Sequence, residues 1–283
     1  MIKLKNSFLQ ILSLCFLIIL LGFSCKSDKK EKNGGVVINS DFDIDNTDKE
    51  EIKSENFKIP SPMEVFTFME KSGSGFIKEV LNDPENYRNY NSQKSKAVNF
   101  GIYSADLAYC CIYEDFQGTI DYFDVVKKLA SDLGLNEGFG KQMVTRIDNN
   151  LSNIDSLQEI ASDSYYEATI FLEEQGLSDL LGFILAGGWM ETLYLATESV
   201  KQLPLSDPVY ERIADQRFLL ENLKAYLKTQ GNSQGVDELL VNLNELSKVY
   251  EDLYFNDENT IITQNQFVNI ANKVKELRNL YIR

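Results

Sequence analysis

The sequence contains no histidine among its 283 residues. Histidine is the commonest general acid–base group at neutral pH, the base of most nucleophilic triads and a frequent ligand of zinc. Its absence excludes those triads and the usual zinc sites, so catalysis would have to use Asp, Glu, Tyr, Lys or Cys. We therefore predict no catalytic residue, no metal site and no cofactor.

Cysteine is scarce as well, with four residues in the whole chain. Cys15 and Cys25 belong to the N-terminal segment, which leaves only the adjacent pair Cys110 and Cys111 further along. Neighbours on a helix point about 100° apart and do not face each other. The sequence thus predicts no disulfide framework. It favours two buried, packed thiols, with a redox-active or nucleophilic thiol as the alternative.

Acidic residues outnumber basic ones: the chain has 43 Asp and Glu and 28 Lys and Arg, which gives a net charge of −15. Such a chain is repelled by phosphate backbones and by anionic lipid headgroups. The composition excludes nucleic acid as a partner. The partners that we predict are a membrane, reached through a covalent lipid, and an envelope protein or small-molecule ligand, while the oligomeric state is left open.

The first 24 residues have the layout of a secretory signal peptide. Lys3 and Lys5 precede an apolar run over residues 8–23, and the segment contains no acidic residue. The run ends in Gly-Phe-Ser-Cys at 22–25, which resembles the lipobox that directs acylation of a cysteine and cleavage just before it. We predict a lipoprotein signal peptide at 1–24 and a palmitate-type membrane anchor on Cys25.

Residues 25–59 are polar and charged, with too few apolar side chains to bury a core, which predicts a flexible lipidated stalk. An uncleaved N-terminal membrane helix is the alternative for the apolar run. The run is shorter than the ~20 residues that a span requires, and lysines follow it at once. The predicted location is the cell envelope, in the outer membrane, on its periplasmic face or on the cell surface.

Residues 60–283 are predicted to form a single all-helical domain. Proline is limited to five residues in the chain, so long proline-free stretches remain, broken by single glycines. Apolar residues recur at three and four residues within 236–254 and 267–281, which predicts two antiparallel helices joined by a short connection at 256–260. Capping and stop signals predict further helices at 118–133, 137–151, 154–174 and 208–230.

Two segments, Val98–Tyr113 and Leu180–Ala196, are apolar on almost every side, which predicts burial at the centre of the fold. The second is as apolar as a membrane span, but its length and polar residues favour a core helix. Gly187 and Gly188 lie within it and predict the close approach of another backbone. The fold class is therefore all-α, a bundle or layered array, with pseudo-repeats at about 97–175 and 177–255 around the two central helices.

Three stretches resemble a family of helical lipoproteins from Bacteroidetes-type bacteria: NFGIYSADLAY at 99–109, VVKKLASDLG at 125–134 and ILAGGWMETLY at 184–194. The resemblance extends over most of residues 60–283. It implies an all-helical fold and an envelope location. It transfers neither an activity nor a site residue to this chain.

Each central helix contains one acidic residue in its apolar stretch, Asp106 in the first and Glu191 in the second. Burial of an ionised carboxylate without a partner costs several kcal/mol. Each acid must therefore meet a cation, a ligand or a hydroxyl donor, or become protonated. We predict that the two acids face each other or a shared pocket, with donors among the candidates Tyr103, Tyr109 and Tyr194.

Three functional interpretations follow for this chain. The leading one is a membrane-anchored, non-enzymatic helical scaffold that binds a protein or a small ligand. The alternative is a solute- or cation-binding protein with an internal pocket near Asp106 and Glu191. The third is a carboxylate-dependent enzyme, which would need both acids in an open cleft.

Overall fold

The computed structural model describes residues 61–135, 145–146, 149–150, 153, 156–157, 159–160, 170–230 and 234–283. Over these residues the chain is helical and contains no strand, so the all-α prediction is confirmed. The α-helices are α1 Pro62–Lys71, α2 Gln93–Ile112, α3 Phe116–Asp132, α4 Ser178–Ser199, α5 Pro208–Thr229, α6 Gln234–Glu251 and α7 Gln264–Tyr281. Short 3-10 helices occupy Lys78–Val80, Pro84–Asn89 and Asp252–Phe255.

Helices α2 and α4 form the centre of the fold, as their composition predicts. Every residue from 181 to 197 is buried, although α4 is long and apolar enough to cross a membrane. Helix α2 begins at Gln93 rather than Val98, because Ser92 and Ser95 form a capping box that adds a turn to its start. Around this pair, α1 packs on both helices, α3 packs on α2, and α5 and α7 pack on α4.

The two central helices approach so closely that their backbones touch. A Cβ added to Gly187 would overlap the carbonyl of Val98, and one added to Gly101 would overlap the carbonyl of Ile184. A Cβ on Gly188 would instead lie 3.4 Å from the carbonyl oxygen of Gly101, an ordinary van der Waals distance. The predicted close approach of another backbone is confirmed at Gly187, which meets Val98. It is confirmed at Gly188 as well, since a Cβ added to Gly101 would lie 2.6 Å from the backbone nitrogen of Gly188, although a Cβ on Gly188 itself would find room.

The outer helices start and stop largely where local signals place them. Asp207 caps α5 by accepting from the backbone N–H of Val209, and Pro208 is its first residue. Helix α3 ends before Gly134, which has a φ of +76°. Helices α6 and α7 are antiparallel, since Gln266 near the start of α7 donates to the carbonyl of Asp252 just after α6, and Asn242 of α6 donates to the hydroxyl of Tyr281 at the end of α7.

Several predictions lie outside the described residues. These are the signal peptide at 1–24, the stalk at 25–59, and most of the helices at 137–151 and 154–174. The comparison of the two pseudo-repeats requires those two helices, so it lies outside the described residues as well.

Candidate functional site

Three buried charged residues meet where α2, α4 and α7 come together. Asp106 of α2 and Glu191 of α4 are 0% exposed, and Arg278 of α7 is 5% exposed. Arg278 lies on the buried face of α7, four residues after Val274 and one helical turn before Tyr281. The crossing of the central helices brings the two acids near each other, and α7 supplies the arginine from the side.

Glu191 and Arg278 form a bidentate ion pair inside the core. The Nε of Arg278 donates to one carboxylate oxygen of Glu191 at 2.5 Å, and its Nη2 donates to the other at 2.8 Å. Nη2 also donates to the carbonyl of Val80 at 3.2 Å, and the Tyr194 ring lies 4.2 Å from the guanidinium carbon. Burial alone would lower the pKa of Arg278, but Glu191 outweighs that effect and raises it. The arginine is therefore a permanent cation at this position.

Asp106 is the third member of this centre and has a different environment. Neither of its carboxyl oxygens meets a hydrogen-bond donor of ordinary geometry in the part of the chain that the structure describes. Burial raises the pKa of Asp106 well above its usual range, and the neighbouring Glu191 carboxylate raises it further, against a smaller opposing effect of Arg278. These effects favour the protonated acid. A protonated Asp106 can donate to Glu191, which accounts for its missing donors and leaves the three groups neutral in sum.

The segment that precedes α2 covers this centre through its backbone carbonyls. Tyr122 donates to the carbonyl of Asn82 at 2.9 Å, and Tyr103 donates to the carbonyl of Asp83 at 2.7 Å. The side chain of Asn82, itself buried, donates to the hydroxyl of Tyr90 at 3.2 Å. Tyrosine hydroxyls and Arg278 thus fasten the segment over the charged groups, and hydrogen bonds satisfy its carbonyls.

The tyrosines that we nominated as donors have other partners. Tyr103 donates to the Asp83 carbonyl rather than to an acid, and Tyr194 stacks on Arg278. Tyr109 lies elsewhere: its hydroxyl donates to the carbonyl of Gly75 and hydrogen-bonds with Ser199. The structure therefore brings Asp106, Glu191 and Tyr194 together, with Tyr103 nearby and Tyr109 apart.

Arg278 is the residue that the sequence analysis missed. A signal was present, because Arg278 continues the apolar stripe of α7 through Ala271 and Val274 at spacings of three and four residues. A basic residue on the buried face of an amphipathic helix needs a carboxylate partner in the core. Two lone acids and one lone base on buried faces could have been paired on that ground.

The centre has the chemistry of a structural element. The guanidinium of Arg278 occupies the side of Glu191 on which a bound cation would lie. Among the described residues, no group of three Cys, Asp or Glu side chains is placed to hold a metal ion. Cys110 and Cys111 are buried and form no disulfide within the described residues, and burial raises the pKa of Cys111 to about 11. Thiolate chemistry is thus disfavoured there, in line with packed thiols.

Replacement of Asp106 by Asn tests whether this acid holds a proton in the folded protein. The unfolded chain loses this proton near the ordinary aspartate pKa of ~3.9, whereas the folded chain retains it to a higher pH. The unfolded state therefore binds fewer protons between the two pKa values, so the wild type loses stability as pH rises through that interval. Asp106→Asn should lack this loss, so its stability relative to wild type should increase with pH in urea denaturation between pH 4 and 8.

Asp124→Asn provides the matched control, because Asp124 is an exposed aspartate on α3. Its stability relative to wild type should be nearly independent of pH over the same range. If Asp106→Asn behaved like this control, the proposed protonation of Asp106 would be wrong.

Comparison of the chain with protein-family models, with curated proteins and with solved structures yields no match. The resemblance to helical lipoproteins of Bacteroidetes-type bacteria therefore stays a prediction.

Proposed function

We propose that this protein is a lipid-anchored protein of the cell envelope whose helical body is a non-enzymatic interaction scaffold. One observation carries the proposal: Glu191 and Arg278 neutralise each other inside the core, beside an Asp106 that is fully buried. The two acids that the sequence nominated for chemistry thus help to join α2 and α4 to α7 through Arg278. In this proposal the outer surface of the helical body binds the partner, and the anchor holds that surface near a membrane.

The anchor rests on the sequence of residues 1–25, and replacement of Cys25 tests it. The wild type should incorporate labelled palmitate and partition into the membrane fraction, since acyl chains bury ~0.8 kcal/mol per CH₂. Cys25→Ser should lose the label and enter the soluble fraction. Labelling and fractionation of intact cells measure both effects.

Cys15→Ser is the matched control, because Cys15 lies within the apolar run that cleavage removes. It should leave both labelling and fractionation unchanged. Membrane retention of Cys25→Ser together with an uncleaved N-terminus would instead identify the apolar run as a membrane helix.

A solute- or cation-binding protein is the second candidate, and it would require an ionised Asp106, whose two buried carboxyl oxygens form no hydrogen bond of ordinary geometry within the described residues. Mass spectrometry under native conditions would reveal a bound species that is lost in Asp106→Asn and Glu191→Gln. We do not propose the carboxylate-dependent enzyme, because its acids must reach substrate and both of these are 0% exposed.

A further inference from the structure

The connection between α6 and α7 presents apolar side chains to solvent. Tyr254 is 65% exposed, Phe255 86% and Ile261 51%, whereas Leu253 and Ile262 beside them are buried. The buried pair attaches the connection to the core and leaves the other three side chains outside it. We define Tyr254, Phe255 and Ile261 as the aromatic tip. Large exposed apolar groups that cluster in this way are typical of interaction surfaces.

Hydrogen bonds at its base hold the aromatic tip in one conformation. The Gln266 side chain donates to the carbonyl of Asp252 at 2.9 Å and to the Asn256 side chain at 2.7 Å. Asn256 donates to the carbonyl of Ile261 at 3.1 Å, and Gln266 forms a capping box with Thr263 at the start of α7. A loop ordered in advance loses little conformational entropy when it binds.

Helix α5 supports the aromatic tip from one side. The guanidinium carbon of Arg217 lies 4.5 Å from the ring centre of Phe218 and 5.4 Å from that of Tyr254. Within the described ranges, Arg217 forms no ion pair and its buried Nε has no hydrogen-bond partner. Arginine and tyrosine are enriched among the few residues that dominate the energy of protein interfaces.

Acidic residues flank the aromatic tip on both sides along the chain. Glu251, Asp252, Asp257 and Glu258 are all exposed, and residues 249–272 contain no Lys or Arg. This charge opposes contact with an anionic lipid surface and with a second copy of the same chain. It is complementary to a protein surface whose rim is basic.

We propose that the aromatic tip binds an apolar pocket in a partner protein, with lysine or arginine side chains around the rim of that pocket. Phe255, the most exposed of the three, enters the pocket, and Tyr254 and Ile261 cover its edge. The four flanking acids pair with the basic rim. The inference rests on the proposed function only in that the helical body acts by binding, and it does not depend on the anchor at Cys25.

Photo-crosslinking in intact cells identifies the partner. A photoreactive phenylalanine analogue is placed at Phe255 of the full-length protein, and at Val241 as the control. Val241 is 61% exposed and lies on α6, outside the aromatic tip. We expect a protein adduct from position 255 and none from position 241.

Calorimetry then measures the binding of the full-length protein to the purified partner that the crosslink identifies. We expect Phe255→Ser to raise the Kd by at least ~10-fold and Val241→Ser to change it by less than ~2-fold. An increase in salt from ~50 to ~300 mM should also raise the Kd, because flanking charges are screened.

Four results would overturn the proposal: no adduct, equal adducts from both positions, an adduct between two copies of this chain, or a Kd insensitive to both salt and Phe255→Ser. Phe255-dependent binding of the Cys25→Ser protein to vesicles of phosphatidylethanolamine and phosphatidylglycerol would overturn it too, since the aromatic tip would then bind membrane. Palmitate labelling reports on the anchor alone, so failure of the anchor and failure of the docking surface are distinguishable.

Discussion

Arg278→Met is expected to lower the free energy of unfolding by about 3 to 5 kcal/mol, because it leaves Glu191 buried without its counter-charge. Glu191→Met should have a similar effect by leaving the guanidinium unpaired. The double variant should recover most of the loss, since two apolar side chains of similar size often replace a buried ion pair without a net cost. Urea denaturation of the four proteins at pH 7 measures this cycle.

The exposed pair Lys248 and Glu245 provides the matched control on α6, with an Nζ–Oε1 distance of 2.7 Å. Lys248→Met should cost far less than Arg278→Met, because solvent screens the pair. If Arg278→Met cost no more than this, or if the two losses simply added in the double variant, Glu191 and Arg278 would not be the buried pair described here.

Gly187→Ala is expected to destabilise the fold by about 1 to 3 kcal/mol or more, because the new methyl group would overlap the carbonyl of Val98. Gly101→Ala should behave likewise against Ile184. Backbone atoms cannot move aside as a flexible side chain can, so the two central helices would have to separate. Thermal and urea denaturation measure the effect.

Gly188→Ala is the control one residue away. Its methyl group would lie at an ordinary 3.4 Å from the carbonyl of Gly101, and alanine favours a helix over glycine by up to ~1 kcal/mol. We expect this variant to be as stable as the wild type or more stable. Equal losses at Gly187 and Gly188 would contradict the crossing geometry.

Much of the fold could be predicted because its signals are local. Apolar spacing on α6 and α7, the Asp207 cap and the stop at Gly134 all depend on residues within a few positions of each other. The central helices were recognisable because an apolar surface on every side can be satisfied only by burial. The extra turn at the start of α2 was not predicted. The third helical residue of a capping box is usually Glu or Gln, and here it is Ser95, which gives a weaker signal.

The site was only partly predictable, because it depends on how helices rotate against one another. Two lone acids in the apolar core predict that they lie close together. Their counter-charge comes from α7, far along the chain, and depends on how α7 packs against the central helices. The same rotation decides that Gly187, and not Gly188, meets Val98. Periodicity shows which face of a helix is buried, and it leaves open which residue of that face meets which partner.

The central claim is that the carboxyl group of Asp106 is neutral and that the buried centre needs no bound ion. Carbon-13 NMR of the aspartate carboxyl groups tests it directly, with Asp106→Asn to assign the resonance. We predict that Asp106 has the chemical shift of a protonated acid at pH 7. An ionised Asp106 at that pH would contradict the account, because a second buried carboxylate beside Glu191 would require a cation in addition to Arg278.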